Sequence, residues 1–320
     1  HWRNLALNLQ TGPGVEPMTG TGEMTNRLKI ALLEAQNDDG GWSVDGSGQS
    51  QTEATALAVL AAGSTAPASR GAEWLIAHQR PDGAWPPWPS VDLTSWATPL
   101  AILALSGLDA PAAERGAEWL LDQGGRSYPW YTRLFYRLFP DREVIELDAD
   151  LTGWPWLPDT FSWVEPTAYA LIALKSLRDR LPPRAVARID EGERMILDRT
   201  CPGGGWNYGN SRVLDEDLWP YPDTTALALI ALQDRPPGHE IDASLEALGE
   251  MLAHNQSGLA LSLAILCFRL YDRPTETPER RLVERLDEVV AYGETRSIAL
   301  SSMALDHTIN PFALDAHGRS

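Results

Sequence analysis

Lysine is nearly missing from this chain: Lys29 and Lys175 are the only two in 320 residues, so arginine carries almost all positive charge. A GC-rich coding sequence accounts for this as readily as a demand for bidentate anion contacts, and the coding explanation is preferred. Cysteine is equally scarce. Cys201 and Cys267 give no disulfide framework and leave the redox compartment open. No apolar run approaches the roughly 20 residues that span a bilayer. The longest candidate, Leu259 to Leu270, is interrupted by Ser262 and reaches Arg269. The first residues lack the charged-then-apolar pattern of a secretion signal. The expectation is a soluble, cytoplasmic protein with no membrane span, for which peripheral contact with a membrane surface stays open. Positive charge is short overall, and the net −18 repels phosphate backbones, which excludes nucleic acid as a partner. An anionic substrate would need arginines gathered locally. Apolar residues are not lacking: at 43% they suffice for a large core, which excludes disorder as the default.

Internal repeats decide the fold. The segment Gln36-Asn37-Asp38-Asp39-Gly40-Gly41-Trp42 returns as Gln79-Arg80-Pro81-Asp82-Gly83-Ala84-Trp85, and Cys201-Pro202-Gly203-Gly204-Gly205-Trp206 keeps the Gly and Trp without the Gln. Ahead of the second copy, Arg70-Gly71-Ala72-Glu73-Trp74-Leu75 recurs as Arg115-Gly116-Ala117-Glu118-Trp119-Leu120. Its apolar positions share one helical face. Behind the turns come Ala/Leu-rich stretches opening at Glu53, Ser95, Glu165 and Asp223. Their alternation of Ala and Leu could suit a strand, but high Ala content and the absence of β-branched runs favour buried helices. Acid, Pro and Thr at their fronts are helix N-terminal signals. Two weaker pairs follow, Asp242–Ala253 with Gly258–Tyr271 and Thr277–Tyr292 with Glu294–Leu305.

Counted from Thr25, these make six pairs of an amphipathic outer and an apolar inner helix, at a spacing of roughly 35 to 50 residues. An open solenoid would need polar capping repeats; none is visible, and the inner helices read as buried on every side. The predicted fold is all-α, a single α/α barrel (toroid) of about six hairpins. It would span residues 25–306, with an N-terminal extension over 1–24 and a C-terminal tail over 307–320.

The Gln-x3-Gly-x-Trp spacing of Gln36 to Trp42 and Gln79 to Trp85 resembles the QW motif of squalene-hopene cyclases and related terpenoid cyclases, whose barrel protein prenyltransferase β subunits share. The resemblance runs from about Leu28 to Leu305. In the motif, Gln at a helix end can bond the backbone of the next helix and Trp stacks over the turn, so Gln36, Trp42, Gln79 and Trp85 are read as structural.

The loops ahead of the inner helices are long and aromatic. They hold Trp88, Trp96, Trp130, Tyr131, Phe135, Tyr136, Trp154, Trp156, Trp163, Tyr208, Trp219 and Tyr221, and would gather at one end of the barrel. Such rings can stabilise a carbocation, stack on a sugar or seal the barrel. Trp96, Trp154, Trp156, Trp163, Tyr169, Trp219 and Tyr221 are taken as the substrate-binding candidates.

The resemblance also implies a proton donor: class II terpenoid cyclases use the middle Asp of an Asp-x-Asp-Asp-Thr-Ala segment. Matched on Thr-Ala, the chain offers Glu53, Glu165 and Asp223 at that position, none with the full set of acids. Asp148-Ala149-Asp150-Leu151 lacks the third acid and the Thr-Ala. A neighbouring carboxylate helps keep a donor protonated, whereas an acid in a first helical turn is stabilised as the anion and can serve as no more than a cap or first-turn charge. Asp223 and Glu165 are the first choices for a catalytic acid, Glu53 the third. The zinc site of the prenyltransferase branch finds no matching Asp-x-Cys and His. Cys267 lies in an apolar helix, His254 and His307 stand alone, and the partner α subunit of that branch is not in this chain. No metal and no cofactor are expected.

The resemblance thus implies an isoprenoid cyclase-like enzyme using acid-initiated carbocation chemistry on a hydrophobic small molecule. Two alternatives stand beside it: a lipid- or terpenoid-binding barrel without catalysis, and a carbohydrate-active barrel with paired carboxylates among Trp residues. Nothing in the sequence sets the oligomeric state.

Overall fold

The structure, a computed structural model, describes residues 20–314 apart from 47, 94–95, 128–130, 132–133, 136–137, 140–146, 149, 256 and 309. Among the described residues, six inner helices are α2 (Thr52–Ala62), α4 (Thr98–Leu105), α6 (Val164–Ser176), α8 (Pro222–Ala231), α10 (Gly258–Leu270) and α13 (Thr295–Leu305). The outer layer is α1 (Gly20–Glu34), α3 (Ala66–Ala77), α5 (Ala110–Leu121), α7 (Arg184–Asp198), α9 (His239–His254) and the consecutive pair α11 (Glu276–Glu284) and α12 (Leu286–Tyr292). Each inner helix packs on the next, and α13 returns to α2, so the ring is closed. The fold is a single α/α barrel. No described helix is long and apolar enough to cross a membrane.

Composition explains the two layers. In α6 every residue from Val164 to Lys175 is buried, because an inner helix touches two ring neighbours, its outer partner and the barrel interior. The outer α3 buries only one stripe, Ala68, Gly71, Ala72, Trp74 and Leu75, as a surface helix should. Its start is fixed by Thr65, whose hydroxyl accepts from the Ala68 amide at 3.3 Å, and α5 starts likewise at Asp109, which accepts from Ala112 at 2.9 Å. Pro near the first turn supports both.

The repeated tryptophans staple outer to inner helix. Trp42, Trp85, Trp154 and Trp206 donate their indole N–H to Leu32, Leu75, Leu120 and Ile196 carbonyls of α1, α3, α5 and α7 at 2.6–2.9 Å. Their backbone amides donate to the hydroxyls of Thr55, Thr98, Thr167 and Thr225 in the first turns of α2, α4, α6 and α8, at 2.8–3.0 Å. Thus one residue bonds a last-turn carbonyl of one helix and is held by the start of the next. The glutamines do a related job with carbonyls as acceptors: Gln36 donates to Gly40 and Pro67, Gln79 to Gly83 and Ala112.

Glycine recurs beneath the rings for a steric reason. A Cβ on Gly71, Gly116 or Gly192 would stand 2.6–2.7 Å from the ring edge of Trp42, Trp85 or Trp154. The Gly of the repeated Arg-Gly-Ala-Glu-Trp segment is therefore the seat of the preceding repeat's tryptophan.

The seam between last and first repeats is closed by Thr25, which donates to the Leu305 carbonyl at 3.1 Å, and by Lys29 against Asp306 at 2.6 Å. On the opposite end, Thr295 donates its amide to Val44 at 2.7 Å and its hydroxyl to Ser43 at 2.6 Å. Two boundaries differ from the sequence expectation. The first helix starts at Gly20 rather than Thr25. Residues 310–314 belong to the barrel: Phe312 is fully buried, its carbonyl accepts from Gln233 at 2.8 Å, and its ring lies 6.4 Å from that of Tyr169. An aromatic plug of this kind follows the last repeat and so carries no periodic signal.

Two glycine substitutions should act with opposite sign. Gly116→Ala forces a methyl into Trp85 and Ile102 and should lower unfolding free energy by about 1–3 kcal/mol. Gly249→Ala, in α9 with nothing within 4 Å, should raise it by about 0.5–1 kcal/mol. Denaturant melts of the two variants decide the matter, and equal effects would contradict the ring-seat account.

Candidate functional site

Inner helices all begin at the same end of the barrel, so their first turns face one mouth. The second residue of α2 is Glu53, of α6 Glu165, of α8 Asp223 and of α13 Arg296. The ring thereby brings together positions far apart in sequence. Arg296 spans two of the acids, with its guanidinium 2.6 Å from Glu165 and 3.4 Å from Glu53. Glu53 accepts a further hydrogen bond from the Trp96 indole at 3.1 Å. Asp223 lies close enough to act electrostatically on Glu165 and on Tyr208.

The charges of this cluster act on Glu165 and Arg296. Burial pushes the Glu165 carboxyl above its ordinary value; the Arg296 charge pulls the other way, and Glu53 and Asp223 add to the rise. Burial alone would weaken the Arg296 charge, yet Glu165 and Glu53 hold it firmly protonated. One turn below Glu165 stands Tyr169, fully buried, its phenol pushed up by burial while the Arg296 guanidinium acts on it in the opposite direction. A column results, with acids and arginine at the mouth, Tyr169 beneath, and Phe312 as the floor. An acid whose ionisation is opposed by burial, next to a fixed cation that stabilises its conjugate base, can give a proton and take one back.

The aromatic candidates separate. Trp96 is half-buried against Glu53 and meets Trp156 edge to face at 5.4 Å. Trp163 precedes α6 and is 39% exposed; Tyr221 precedes α8, 45% exposed, and stacks on Tyr208 at 4.9 Å. Both lie at the entrance. Trp219 is 84% exposed on the loop that follows a small hairpin, β1 (Arg212–Val213) with β2 (Glu216–Asp217). Trp154 has a structural role that the sequence reading did not give it. It is a staple, buried, with its indole on Leu120 and one face on the Arg188 guanidinium, 3.6 Å from the ring centroid. Its copy of the turn has lost the Gln and stands after a long insertion, so spacing did not reveal it. Trp130 and Tyr136 lie outside the described residues. Asp148 accepts from Asp150 and donates its amide to Asp198, away from the mouth acids.

Sequence reasoning missed Arg296. It stands in the weakest repeat, yet one signal was present: a basic residue in the first turn of an apolar helix opposes the helix dipole, so it needs carboxylate partners.

Comparisons with known proteins follow the fold. No protein-family model matches the sequence, and no curated protein does. Among solved structures, type II terpene cyclase MstE from Scytonema superimposes with a TM-score of 0.53 at 16% identity, over 83% of this chain and 78% of that one. An inactive variant of the α-1,6-mannanase GH76A of Salegentibacter sp., in complex with α-1,6-mannotriose, gives 0.57 at 10% identity, over 89% and 100%. A glycosidase gives 0.56 at 12%, over 91% and 97%. These likenesses establish the α/α-barrel fold that the chain shares with a terpene cyclase and with glycosidases alike.

The electrostatic account fixes three signs. With side-chain carboxyls followed by isotope-edited infrared or carbon NMR, Glu165 should titrate above the ordinary range near 4.3. Arg296→Gln should move it further up, and Glu53→Gln or Asp223→Asn should move it down, because each removes a neighbouring negative charge. A Glu165 midpoint unmoved by Arg296→Gln would show that the pair does not couple.

Proposed function

We propose that this barrel is an enzyme of the class II terpenoid-cyclase type, in which Glu165 protonates an alkene or epoxide of an isoprenoid entering the mouth. The observation that carries this reading is the buried Glu165 carboxyl, raised by burial and paired with Arg296 at 2.6 Å. Burial makes the neutral acid accessible. Arg296 then stabilises the carboxylate left behind, so the proton leaves toward a substrate with only a slight build-up of unfavourable charge. Glu53 holds the other side of the guanidinium, and Asp223 adds negative potential that disfavours early ionisation of Glu165. Trp96, half-buried beside Glu53, offers a ring face near the acids, where a developing carbocation gains on the order of 1–2 kcal/mol in a dry site. The MstE structure of one variant contains geranylgeranyl dihydroxybenzoate as substrate, at a TM-score of 0.51 and 16% identity. For that protein, a barrel of this type accommodates a prenylated aromatic acid.

A second reading, hydrolysis of a glycosidic bond, is favoured by the same two carboxyls, Glu53 and Glu165, on one guanidinium, and by the mannanase among the similar folds. In that chemistry one acid protonates the leaving oxygen and the other acts as base or nucleophile.

One experiment separates them. Farnesol, geranylgeraniol, squalene and their terminal epoxides are incubated with the protein, in parallel with α-mannan and related polysaccharides. Cyclised product from the first set, reduced by roughly 10²–10⁴-fold in Glu165→Gln, is the expected result, with a rate that falls as pH rises through the raised Glu165 midpoint. Sugar release without isoprenoid turnover establishes the second reading. Turnover of either set that survives Glu165→Gln removes this acid from the mechanism.

A further inference from the structure

One cation serves two carboxylates at the mouth, and the division of its charge decides how readily Glu165 ionises. The inner helices follow one another round the ring in the order α2, α4, α6, α8, α10, α13. Arg296 on α13 therefore stands opposite Glu165 on α6 and next to Glu53 on α2. Its guanidinium meets the first at 2.6 Å and the second at 3.4 Å. The Glu53 contact is the longer one, and Glu53 is partly exposed. An ion pair of that kind holds a side chain only weakly by itself, so keeping Glu53 beside the guanidinium takes a second contact.

That contact comes from the other neighbour of α2. Helix α4 opens on Thr98-Pro99 with no acid in its first turn. Its contribution to the mouth is Trp96, in the turn just ahead, whose indole N–H donates to Oε2 of Glu53 at 3.1 Å, while Oε1 is the oxygen that faces Arg296. Both carboxylate oxygens are thus engaged, from two different helices' sides. The indole is held in turn. Trp156 meets it edge to face at 5.4 Å, two residues beyond the staple Trp154, which Thr167 and Leu120 fix by hydrogen bonds. A line of contacts therefore runs from a packed staple through Trp156, Trp96, Glu53 and Arg296 to Glu165. Besides Arg296 and Glu53, the titratable groups that interact electrostatically with Glu165 are Asp223, Tyr169 and Tyr208. An indole N–H is a donor only and does not titrate, so its hold on Glu53 is independent of their charge states.

We propose that Trp96 is a positioning residue for the acid at the mouth: its indole N–H keeps Glu53 on the Arg296 guanidinium, so that the charge of Arg296 is shared and Glu165 is left able to carry a proton. The sign follows from the charges. Glu53 beside the guanidinium adds a negative charge that opposes ionisation of Glu165, against the pull of Arg296. Without the N–H, Glu53 turns toward water, where its charge is hydrated. Arg296 then has Glu165 as its nearer and better-held carboxylate, and Glu165 gives up its proton at lower pH. The inference rests on the proposed acid chemistry for its effect on rate, whereas the hold on Glu53 is read in protein without ligand.

Trp96→Phe keeps a ring against Trp156 and removes the N–H. In ligand-free protein, with Glu165 followed by carbon NMR, it should lower the Glu165 midpoint by roughly half to one pH unit, in the direction of Glu53→Gln. Made in a Glu53→Gln background, the same substitution should move Glu165 no further, because the path through Glu53 is already gone. Trp88→Phe, an exposed indole on the same loop, is the control and should leave Glu165 where it is. The indole proton of Trp96, followed by nitrogen NMR, should shift in Glu53→Gln; this readout keeps the tryptophan and decides the matter even if Trp96→Phe does not fold. Where an isoprenoid is turned over, the high-pH limb of the rate profile should move down together with the midpoint. A Glu165 midpoint unmoved by Trp96→Phe, an equal shift with and without Glu53, an equal shift in Trp88→Phe, or an indole signal indifferent to Glu53→Gln overturns the assignment. Failure of the catalytic reading looks different: the midpoint and the indole signal shift as stated, while no isoprenoid is turned over or turnover survives Glu165→Gln.

Discussion

The tryptophan staple is the interaction on which the remaining geometry depends. A single side chain bonds the last turn of an outer helix, its own backbone amide meets the first-turn threonine of the following inner helix, and its ring rests on a glycine of the next outer helix. Three helices are thereby fixed in angle and height by one residue. Because four consecutive repeats share the two hydrogen bonds, and the first three the glycine seat, the first turns of their inner helices arrive at one level. The second residues of α2, α6 and α8 then have no choice but to share the mouth, and the closing repeat adds Arg296 to them. The chemistry of the site is thus a by-product of how the hairpins are locked.

The two ends of the barrel differ in charge for the same reason. At the mouth, helix N-termini favour acids, and three of the four ionisable second-position residues are acidic. At the floor, helix C-termini favour cations. Lys175 donates to the Ala231 carbonyl at 2.6 Å and pairs with Glu193 and Asp234 at 2.5 Å, while Arg269 reaches the Ala304 and Asp306 carbonyls at 2.5 and 3.1 Å. Lys29 holds Asp306, whose carboxyl is brought down to about 2 by its hydrogen bonds and by that ammonium in spite of burial. Both lysines of the chain are spent at this end. An ammonium with three donors suits Lys175, which serves a carbonyl and two carboxylates arriving from separate directions.

Much of this was legible in the sequence. Gln36–Trp42 and Gln79–Trp85 announce their turns, and the acids at Glu53, Glu165 and Asp223 announce the starts of inner helices, because both signals are local. Trp154 was harder, since its helix partner Leu120 lies 34 residues back and the motif's Gln is gone. Arg296 and Phe312 were illegible for a different reason. What each does depends on residues more than a hundred positions away or outside the repeat, as with Arg296 and Glu165, and periodicity carries no information about which residues ring closure will bring face to face.

Ring closure has a consequence for how the molecule comes into being. The seam bond from Thr25 to the Leu305 carbonyl joins positions 280 residues apart, so α2 cannot acquire its second ring neighbour until α13 has been synthesised. Until then the growing chain is an open arc, its first inner helix presenting an uncovered apolar flank, and the entropy of closing so long a loop is met only at the end. Nascent hairpins can form one after another behind the ribosome, but the mouth, with Glu53 on the first strut and Arg296 on the last, exists only when the circle is complete. Biogenesis therefore withholds the charged centre until the final moment, and an interrupted product would carry the acids without the cation that orders them.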